Sequence, residues 1–222
     1  MSSNLEIERK FVVNPTHPEW IRIRDSQKGK LLTQATIHKE DGYKLRIRMI
    51  EDLDTGERSS FFCFKVSKNG AIHDPAVRDE YEWAMPDRTA LYMMIGHGEI
   101  SKVRRTYAHT DGLVYEIDEY EQNNTGVITA DVEIDHPKHI FRKPDFLGWE
   151  VTHDERLKNS TIQNMENSFS TWSPEDKKWY ETLQVGDGVS IFPTHEKLHH
   201  HVKYGFWKRL QRAWRILTGK EN

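Results

Sequence analysis

Three charged residues alternate with apolar residues near the N-terminus of the chain. Glu6, Glu8 and Lys10 occupy every second position of the segment that spans residues 4–13. Successive side chains of a β-strand point to opposite faces, so these three side chains share one face and the apolar residues share the other. Two carboxylates and an ammonium group on one face can line a polar cavity that holds a divalent cation and a polyanion.

The same alternation returns in six later segments, each of which reads as a β-strand. They span residues 43–50, 60–66, 77–83, 101–107, 113–120 and 128–134. Gly, Asn and Asp residues between them are typical of short turns. Successive strands joined by short turns predict a meandering antiparallel sheet. If this sheet closes into a barrel, the charged positions of its strands face one lumen.

The charged positions of these strands carry both signs. The basic members are Lys10, Arg46, Arg48, Lys65, Arg78, Lys102 and Arg104, and the acidic members are Glu6, Glu8, Glu80, Glu82, Glu116, Asp118, Asp131 and Glu133. Charges inside a protein avoid an uncompensated loss of hydration only if they are paired or bound to ions. A triphosphate with a divalent metal would supply such partners, because Arg and Lys bind phosphate oxygens and carboxylates bind magnesium or manganese.

In their order and content these motifs resemble the CYTH family, also called triphosphate tunnel metalloenzymes. The resemblance covers roughly residues 5–160. The family's motifs are similar, in chain order, to Glu6-x-Glu8-x-Lys10, Arg46-x-Arg48, Lys65, Arg78-x-Glu80-x-Glu82, Lys102-x-Arg104, Glu116-x-Asp118, Asp131-x-Glu133, Glu150-Val151-Thr152 and Lys158-Asn159. Departures occur at Asp131, where the family commonly has Glu, at Gln34, where only the first residue of a Gln-Gly-Tyr motif is kept, and at Lys158, where the family has Arg.

The resemblance implies an α+β fold, in which an antiparallel β-barrel forms a triphosphate tunnel with flanking helices and a C-terminal helical extension. We expect the tunnel domain at residues 1–172 and the extension, packed on the barrel, at residues 173–222.

The resemblance also implies roles for the lumen residues. Mg²⁺ or Mn²⁺ would be held by Glu6, Glu8, Asp131 and Glu133. Phosphate would be bound by Lys10, Arg46, Arg48, Lys65, Arg78, Lys102 and Arg104. Catalytic roles, which include positioning the water that attacks the terminal phosphorus, fall to Lys10, Glu82 and Asp118.

Three functions are compatible with these motifs. The first is a metal-dependent hydrolase of a small-molecule triphosphate, with inorganic triphosphate as the first expected substrate and nucleoside or thiamine triphosphate next. The second is a class IV adenylate cyclase, which would use a ribose hydroxyl of ATP as the nucleophile. The third is a non-catalytic binder of polyphosphate, nucleotide or the triphosphate end of an RNA.

The composition of the chain bears on its partners and on its cellular compartment. A net charge of −3 over 222 residues gives no global attraction for nucleic acid. The single Cys63 excludes an intramolecular disulfide and favours a reducing, cytoplasmic compartment. We expect no signal peptide and no segment that spans a bilayer.

Helices are expected at three places. Asp87, after Pro86, is predicted to cap a helix that ends near Gly96, and Ser173 with Pro174 predicts the start of another. A last helix at residues 202–218 carries an apolar stripe formed by Trp207, Leu210, Trp214 and Leu217. We expect this stripe to pack on the barrel; the basic face would allow nucleic-acid or membrane contact, which we do not expect, and the oligomeric state is left open.

Overall fold

The computed structural model of the protein describes residues 5–40, 42–67, 77–136 and 139–185. For residues 5, 6, 67 and 77 it describes the backbone alone. The tail helix predicted at residues 202–218 lies outside the described residues.

Nine strands in the described residues form one antiparallel sheet. They are β1 (Leu5–Val13), β2 (Lys30–Glu40), β3 (Tyr43–Asp52), β4 (Arg58–Ser67), β5 (Val77–Met85), β6 (Ile100–Ala108), β7 (Val114–Tyr120), β8 (Ile128–Glu133) and β9 (Leu147–Glu150). The strands lie in the order β5-β4-β3-β2-β6-β7-β8-β1-β9. A further antiparallel pairing of β1 with β5, over three residue pairs, brings the two ends of the first eight strands together. The predicted antiparallel tunnel-like barrel is confirmed.

The strand predicted at the N-terminus and the six later ones are all present, but the sequence analysis missed β2 and β9. Strand β2 was not predicted because its centre carries no alternating charges and because a bulge between Thr36 and His38 interrupts the alternation of its side chains. The bulge changes which of its residues face the lumen. Strand β9 is only four residues long.

Within the residues that the structure describes, four α-helices accompany the sheet: α1 (Pro18–Ser26), α2 (Asp87–Met94), α3 (Asn159–Ile162) and α4 (Pro174–Gln184). The predicted cap of α2 was wrong by one residue, since Pro86 takes the cap position and Asp87 begins the helix. The Asp87 carboxylate instead accepts a hydrogen bond from the Ser60 hydroxyl at 2.6 Å. For α4 the prediction is confirmed, because the Ser173 side chain accepts from the Asp176 amide and Pro174 occupies the first turn.

The apolar faces of the strands point away from the lumen, and helices bury three parts of them. Helix α1 covers one part with Trp20, α2 covers another with Ala90 and Met94, and α4 covers a third with Tyr180 and Leu183. On β5 the aromatic side chains of Tyr81 and Trp83 remain exposed. The hydrophobic core therefore lies outside the lumen, and the charged phase of the strands faces inward. No helix in the described residues is long and apolar enough to cross a membrane.

Candidate functional site

A cavity of about 600 Å³ occupies the lumen of the barrel. Residues from seven strands, all expected from the sequence, line it: Glu8, Lys10, Arg46, Arg48, Lys65, Arg78, Glu80, Glu82, Arg104, Glu116, Asp131 and Glu133. They meet because antiparallel pairing places in-phase residues of neighbouring strands side by side. Glu8 lies directly opposite Glu133 across β1 and β8, and Lys65 lies opposite Glu80 across β4 and β5.

Acidic residues of β5 hold the basic residues of the neighbouring wall in place. Arg46 donates to Glu80 at 2.9 Å, and an Arg48 nitrogen lies 3.3 Å from the Glu82 carboxylate. Lys65 forms an ion pair with Glu80 and is buried. These contacts compensate the cations and fix their positions along one side of the cavity.

Two of the predicted site residues, Lys102 and Asp118, lie behind the cavity wall and do not line the cavity. Asp118 is fully buried and accepts two hydrogen bonds from the Arg104 guanidinium, at 2.7 and 2.8 Å, and one from Lys102. Burial opposes the Asp118 charge, but Arg104 and then Lys102 outweigh it and lower the pKa of Asp118. Because Arg104 already neutralises this carboxylate, burial prevails at Lys102 and lowers its pKa to about 8.

The opposite wall, formed by β1 and β8, concentrates carboxylates. The Lys10 ammonium lies 2.7 Å from an Asp131 oxygen, and Arg78 donates to Glu8 at 2.8 Å. Burial works against the Lys10 cation, but the charge of Asp131 overcomes it and raises the pKa of Lys10. Burial, followed by the charge of Glu8, raises the pKa of Asp131 to about 6. The side chain of Glu6, the remaining predicted metal ligand, is not among those described, although its backbone pairs with Arg78.

The carboxylates of this wall fit a hard divalent cation. Burial and then the negative charge of Glu8 raise the pKa of Asp131, and a divalent cation would relieve the repulsion between the two carboxylates. Magnesium keeps several waters and needs only one or two protein carboxylates beside the phosphates of a substrate. In the described residues a closer set of donor atoms, all within 4.8 Å, belongs to Cys63, Glu80 and Glu82.

That closer set suits a hard cation less well. Burial raises the pKa of the Cys63 thiol to about 12, so the sulfur keeps its proton. The thiol donates a hydrogen bond to the Glu82 carboxylate at 2.9 Å. Both carboxylates of the set are also engaged with Arg46 and Arg48. Cys63 is buried and free of disulfide bonding, as a small packing residue would be.

Sequence analysis missed two lysines that line the cavity, Lys39 and Lys44. Lys44 stands in phase with Arg46 and Arg48, so the alternation that identified those two arginines could have identified it as well. Lys39 was not identified because the bulge in β2 shifts its register with β3 by one residue. Burial, together with the neighbouring cations Arg78, Lys65 and Arg46, lowers the pKa of Lys44 well below its usual value.

Residues after the last barrel strand close part of the cavity. Thr152, Glu155, Lys158, Asn159 and Ser160 line it there. The Thr152 hydroxyl accepts a hydrogen bond from the Lys10 amide at 3.0 Å, and Asn159 accepts one from the Tyr120 hydroxyl at 2.6 Å. Lys158 forms an ion pair with Glu155. The late motifs that the sequence comparison singled out thus lie at the same cavity as the strand motifs.

Similarity to known proteins was sought at three levels. No family model matches the chain. An inorganic triphosphatase of Acetivibrio thermocellus is 29% identical over 160 residues, which cover 71% of this chain and 92% of that protein. Among solved structures, the inorganic triphosphatase NE1496 is 22% identical, covers 76% of this chain and 96% of its own, and has a TM-score of 0.44. HpAC1 from Hippeastrum, whose structure is described as that of a candidate adenylyl cyclase with a dominant triphosphatase activity, is 16% identical over 60% of this chain and 80% of its own, with a TM-score of 0.40. The similarity to the Acetivibrio protein, which extends over most of both chains, confirms the resemblance to the triphosphate tunnel metalloenzymes that the strand motifs predict.

Proposed function

We propose that this protein is a divalent-metal-dependent hydrolase of a triphosphate, with inorganic triphosphate as its preferred substrate. The observation that carries the proposal is the lumen itself, in which nine cations and eight carboxylates from eight strands and the adjoining segments line one cavity. Such a density of opposite charges suits a ligand that is itself a polyanion associated with cations. The relative from Acetivibrio thermocellus, an inorganic triphosphatase, supports this choice of substrate.

Mg²⁺ or Mn²⁺ would be held by Glu8, Asp131 and Glu133, together with Glu6 as the sequence motif suggests. When bound, such a metal withdraws charge from the phosphoryl oxygens and so stabilises the transition state. The chain itself binds the phosphates with Arg46, Arg48, Lys65, Arg78 and Arg104, all of which line the cavity. Arg binds phosphate as a rigid two-pronged donor, whereas Lys binds it as a point charge.

The reaction is an in-line displacement at the terminal phosphorus. The water oxygen forms a bond to that phosphorus, the bridging phosphorus–oxygen bond breaks, and pyrophosphate leaves. We assign Glu82, which faces the cavity, to orient the attacking water and accept its proton, and Lys10 to bind the phosphoryl group. Asp118 does not reach the cavity, so we assign it to positioning Arg104 through their two hydrogen bonds.

A panel of phosphate-release assays tests the proposal. The purified chain is supplied with inorganic triphosphate, ATP or thiamine triphosphate, each with magnesium, with manganese or with a chelator. We expect metal-dependent release of phosphate, fastest from inorganic triphosphate. Formation of cyclic AMP and pyrophosphate from ATP would instead indicate the cyclase, and tight binding without turnover under any metal would indicate a binding protein.

We also infer a cytoplasmic location, since the one cysteine is a free, buried thiol suited to a reducing compartment. The partner of the site is a small molecule. Nucleic acid is not expected as a partner.

A further inference from the structure

Three lysines lie side by side on adjacent strands near the β2–β3 turn, which forms one mouth of the cavity. Lys39 of β2 lies opposite Lys44 of β3, and Lys44 in turn lies opposite Lys65 of β4. All three line the cavity. Like charges directly opposite each other on neighbouring strands are destabilising, so this row calls for a compensating negative charge.

The chain compensates only one member of the row within the part that the structure describes. Lys65 forms its ion pair with Glu80. For Lys39 and Lys44, which we call the mouth lysines, no ion pair within 4.0 Å is found among the described residues. The acidic residue Glu8, on the opposite wall, is already bonded to Arg78.

The β2 bulge places Lys39 in this row. Before the bulge Thr36 lies opposite Arg46, and after it His38 lies opposite Leu45, whose phase points away from the lumen. The shift of one residue brings Lys39, rather than His38, into register with Lys44. A bulge disrupts the regular hydrogen bonding between two strands and redirects a side chain. Bulges are common beside active sites, where such a redirection is useful.

Burial differs along the strands that surround the lumen. Lys102 and its neighbours Asp118 and Tyr120 are only 1%, 0% and 2% exposed, whereas Lys39, seven residues along β2 from the partner of Lys102, is exposed. A nucleoside would therefore lie at the exposed mouth, and the phosphate beside the mouth lysines would be the esterified one. An esterified phosphate has one ionisable oxygen fewer than a free terminal phosphate, so the mouth lysines meet more negative charge in inorganic triphosphate.

We propose that Lys39 and Lys44 bind the free terminal phosphate at the mouth of the cavity and thereby select inorganic triphosphate over nucleoside triphosphates. The proposal rests on the proposed function for its choice of a triphosphate as ligand. Lys44, the more buried of the two, makes the larger contribution. Burial and the neighbouring cations lower its pKa in the free protein, and the negative charge of a phosphate beside it would favour the charged form, which water screens little at this site.

The test compares Lys44→Gln, Lys39→Gln and Lys44→Arg with a control, Lys30→Gln. Lys30 lies on β2, is exposed and does not line the cavity, so the control removes the same charge from the same strand. Kinetic constants are measured with inorganic triphosphate and with ATP under magnesium. In parallel, the shift of the melting temperature on adding each compound without divalent metal reports binding independently of turnover.

We expect Lys44→Gln to lower kcat/KM for inorganic triphosphate about ten-fold and that for ATP much less, as loss of one charged contact predicts. Lys39→Gln should show a smaller effect in the same direction, Lys44→Arg should retain the preference, and Lys30→Gln should match the wild type. Equal losses for both compounds, or no loss, would overturn the proposal. If no triphosphate is hydrolysed, the proposed function fails, while a melting shift that depends on Lys44 for inorganic triphosphate but not for ATP would still support the selection.

Discussion

At the scale of single residues, the ion pairs of the lumen divide the charged side chains into two groups. Arg46, Arg48 and Lys65 face the cavity while carboxylates of β5 support them from the side. Lys102 and Asp118 are buried outside the cavity lining and act on the cavity through their bonds to each other and to Arg104 and through their charges near Lys10 and Asp131. A residue of the second group therefore changes the position or charge of its neighbours and does not touch a ligand.

Lys102 provides a pH-dependent test of this division. Its pKa is lowered to about 8 in the folded protein, so the folded state releases this proton at a lower pH than the unfolded chain does. Between pH 8 and about 10.5 the unfolded state binds more protons, and the free energy of unfolding should rise with pH by up to about 3 kcal/mol from this group.

The measurement is the denaturant-induced unfolding of wild type and Lys102→Met across that pH range. The variant should lack this part of the rise, and it should be less sensitive to pH than the wild type. Parallel curves for the two proteins would show that burial does not govern this lysine.

Glu8 is the described residue on which the metal assignment depends most. The variant Glu8→Gln should lose turnover by about a hundred-fold or more, because an amide oxygen carries no negative charge for a divalent cation. Its melting temperature should change little, since the amide can still accept the hydrogen bond from Arg78. Turnover is measured against the concentration of magnesium and manganese, with the exposed Glu57→Gln as control. Near-normal activity with an unchanged metal requirement would remove Glu8 from the metal site.

At the scale of elements, the helices outside the barrel hold strands whose inner faces carry charge. Helix α4 shows how this works at the start of β8. The Tyr180 hydroxyl accepts from the Ile128 amide at 2.8 Å and donates to the Ile128 carbonyl at 3.1 Å, and both residues are buried. The helix thus satisfies the backbone of the strand that carries Asp131 and Glu133.

Removing this hydroxyl should loosen β8. Tyr180→Phe leaves a buried amide and a buried carbonyl of Ile128 without their partner, which should cost about 1–3 kcal/mol of unfolding free energy. Thermal denaturation should then show a fall of roughly 2–4 °C for each kcal/mol. The exposed Tyr92→Phe, on α2, serves as the matched control. Equal melting temperatures for the two variants would mean that α4 does not support the strand through this contact.

At the scale of the whole molecule, the barrel places its charged faces inside and its apolar faces outside, under helices. The closing contact between β1 and β5 joins the segment that carries Glu8 to the segment that carries Arg78. Because a polyanion would interact with residues from most strands of the barrel, its binding should stabilise the whole fold and not one element alone. Any ligand that binds only the folded state raises the unfolding free energy in this way.

Inorganic triphosphate should accordingly raise the melting temperature of the wild type, and at a hundred times its dissociation constant it should add about 2.7 kcal/mol. Arg48→Ala should lose most of this shift, because Arg48 faces the cavity. Arg58→Ala should keep it, because Arg58 is exposed and paired with Glu51 outside the cavity. An undiminished shift in Arg48→Ala would show that this side chain does not meet the ligand.

The sequence by itself determined which residues share the lumen. Period-two alternation specifies one face of a strand, and antiparallel pairing brings equivalent faces together, so Glu8, Lys10, Arg46 and Glu133 could be assigned to one cavity before any coordinates were known. The order of the motifs resembles that of the triphosphate tunnel metalloenzymes, and that resemblance implied the tunnel-like fold. Which side chains share a strand face depends only on local spacing.

Only the tertiary structure decided how deep each charge lies and what compensates it. Lys102 was predicted to bind phosphate, and Lys44, although it lies in phase with Arg46 and Arg48, was not. In the structure Lys102 is buried with Asp118 outside the cavity lining, whereas Lys44 faces the cavity without an ion pair among the described residues. The position of Lys39 at the cavity could not be predicted from the sequence, because it depends on a bulge that forms only when β2 pairs with β3. The physical reason is that spacing along one strand fixes the face of a side chain, whereas burial, partners and pKa depend on residues far away in the chain.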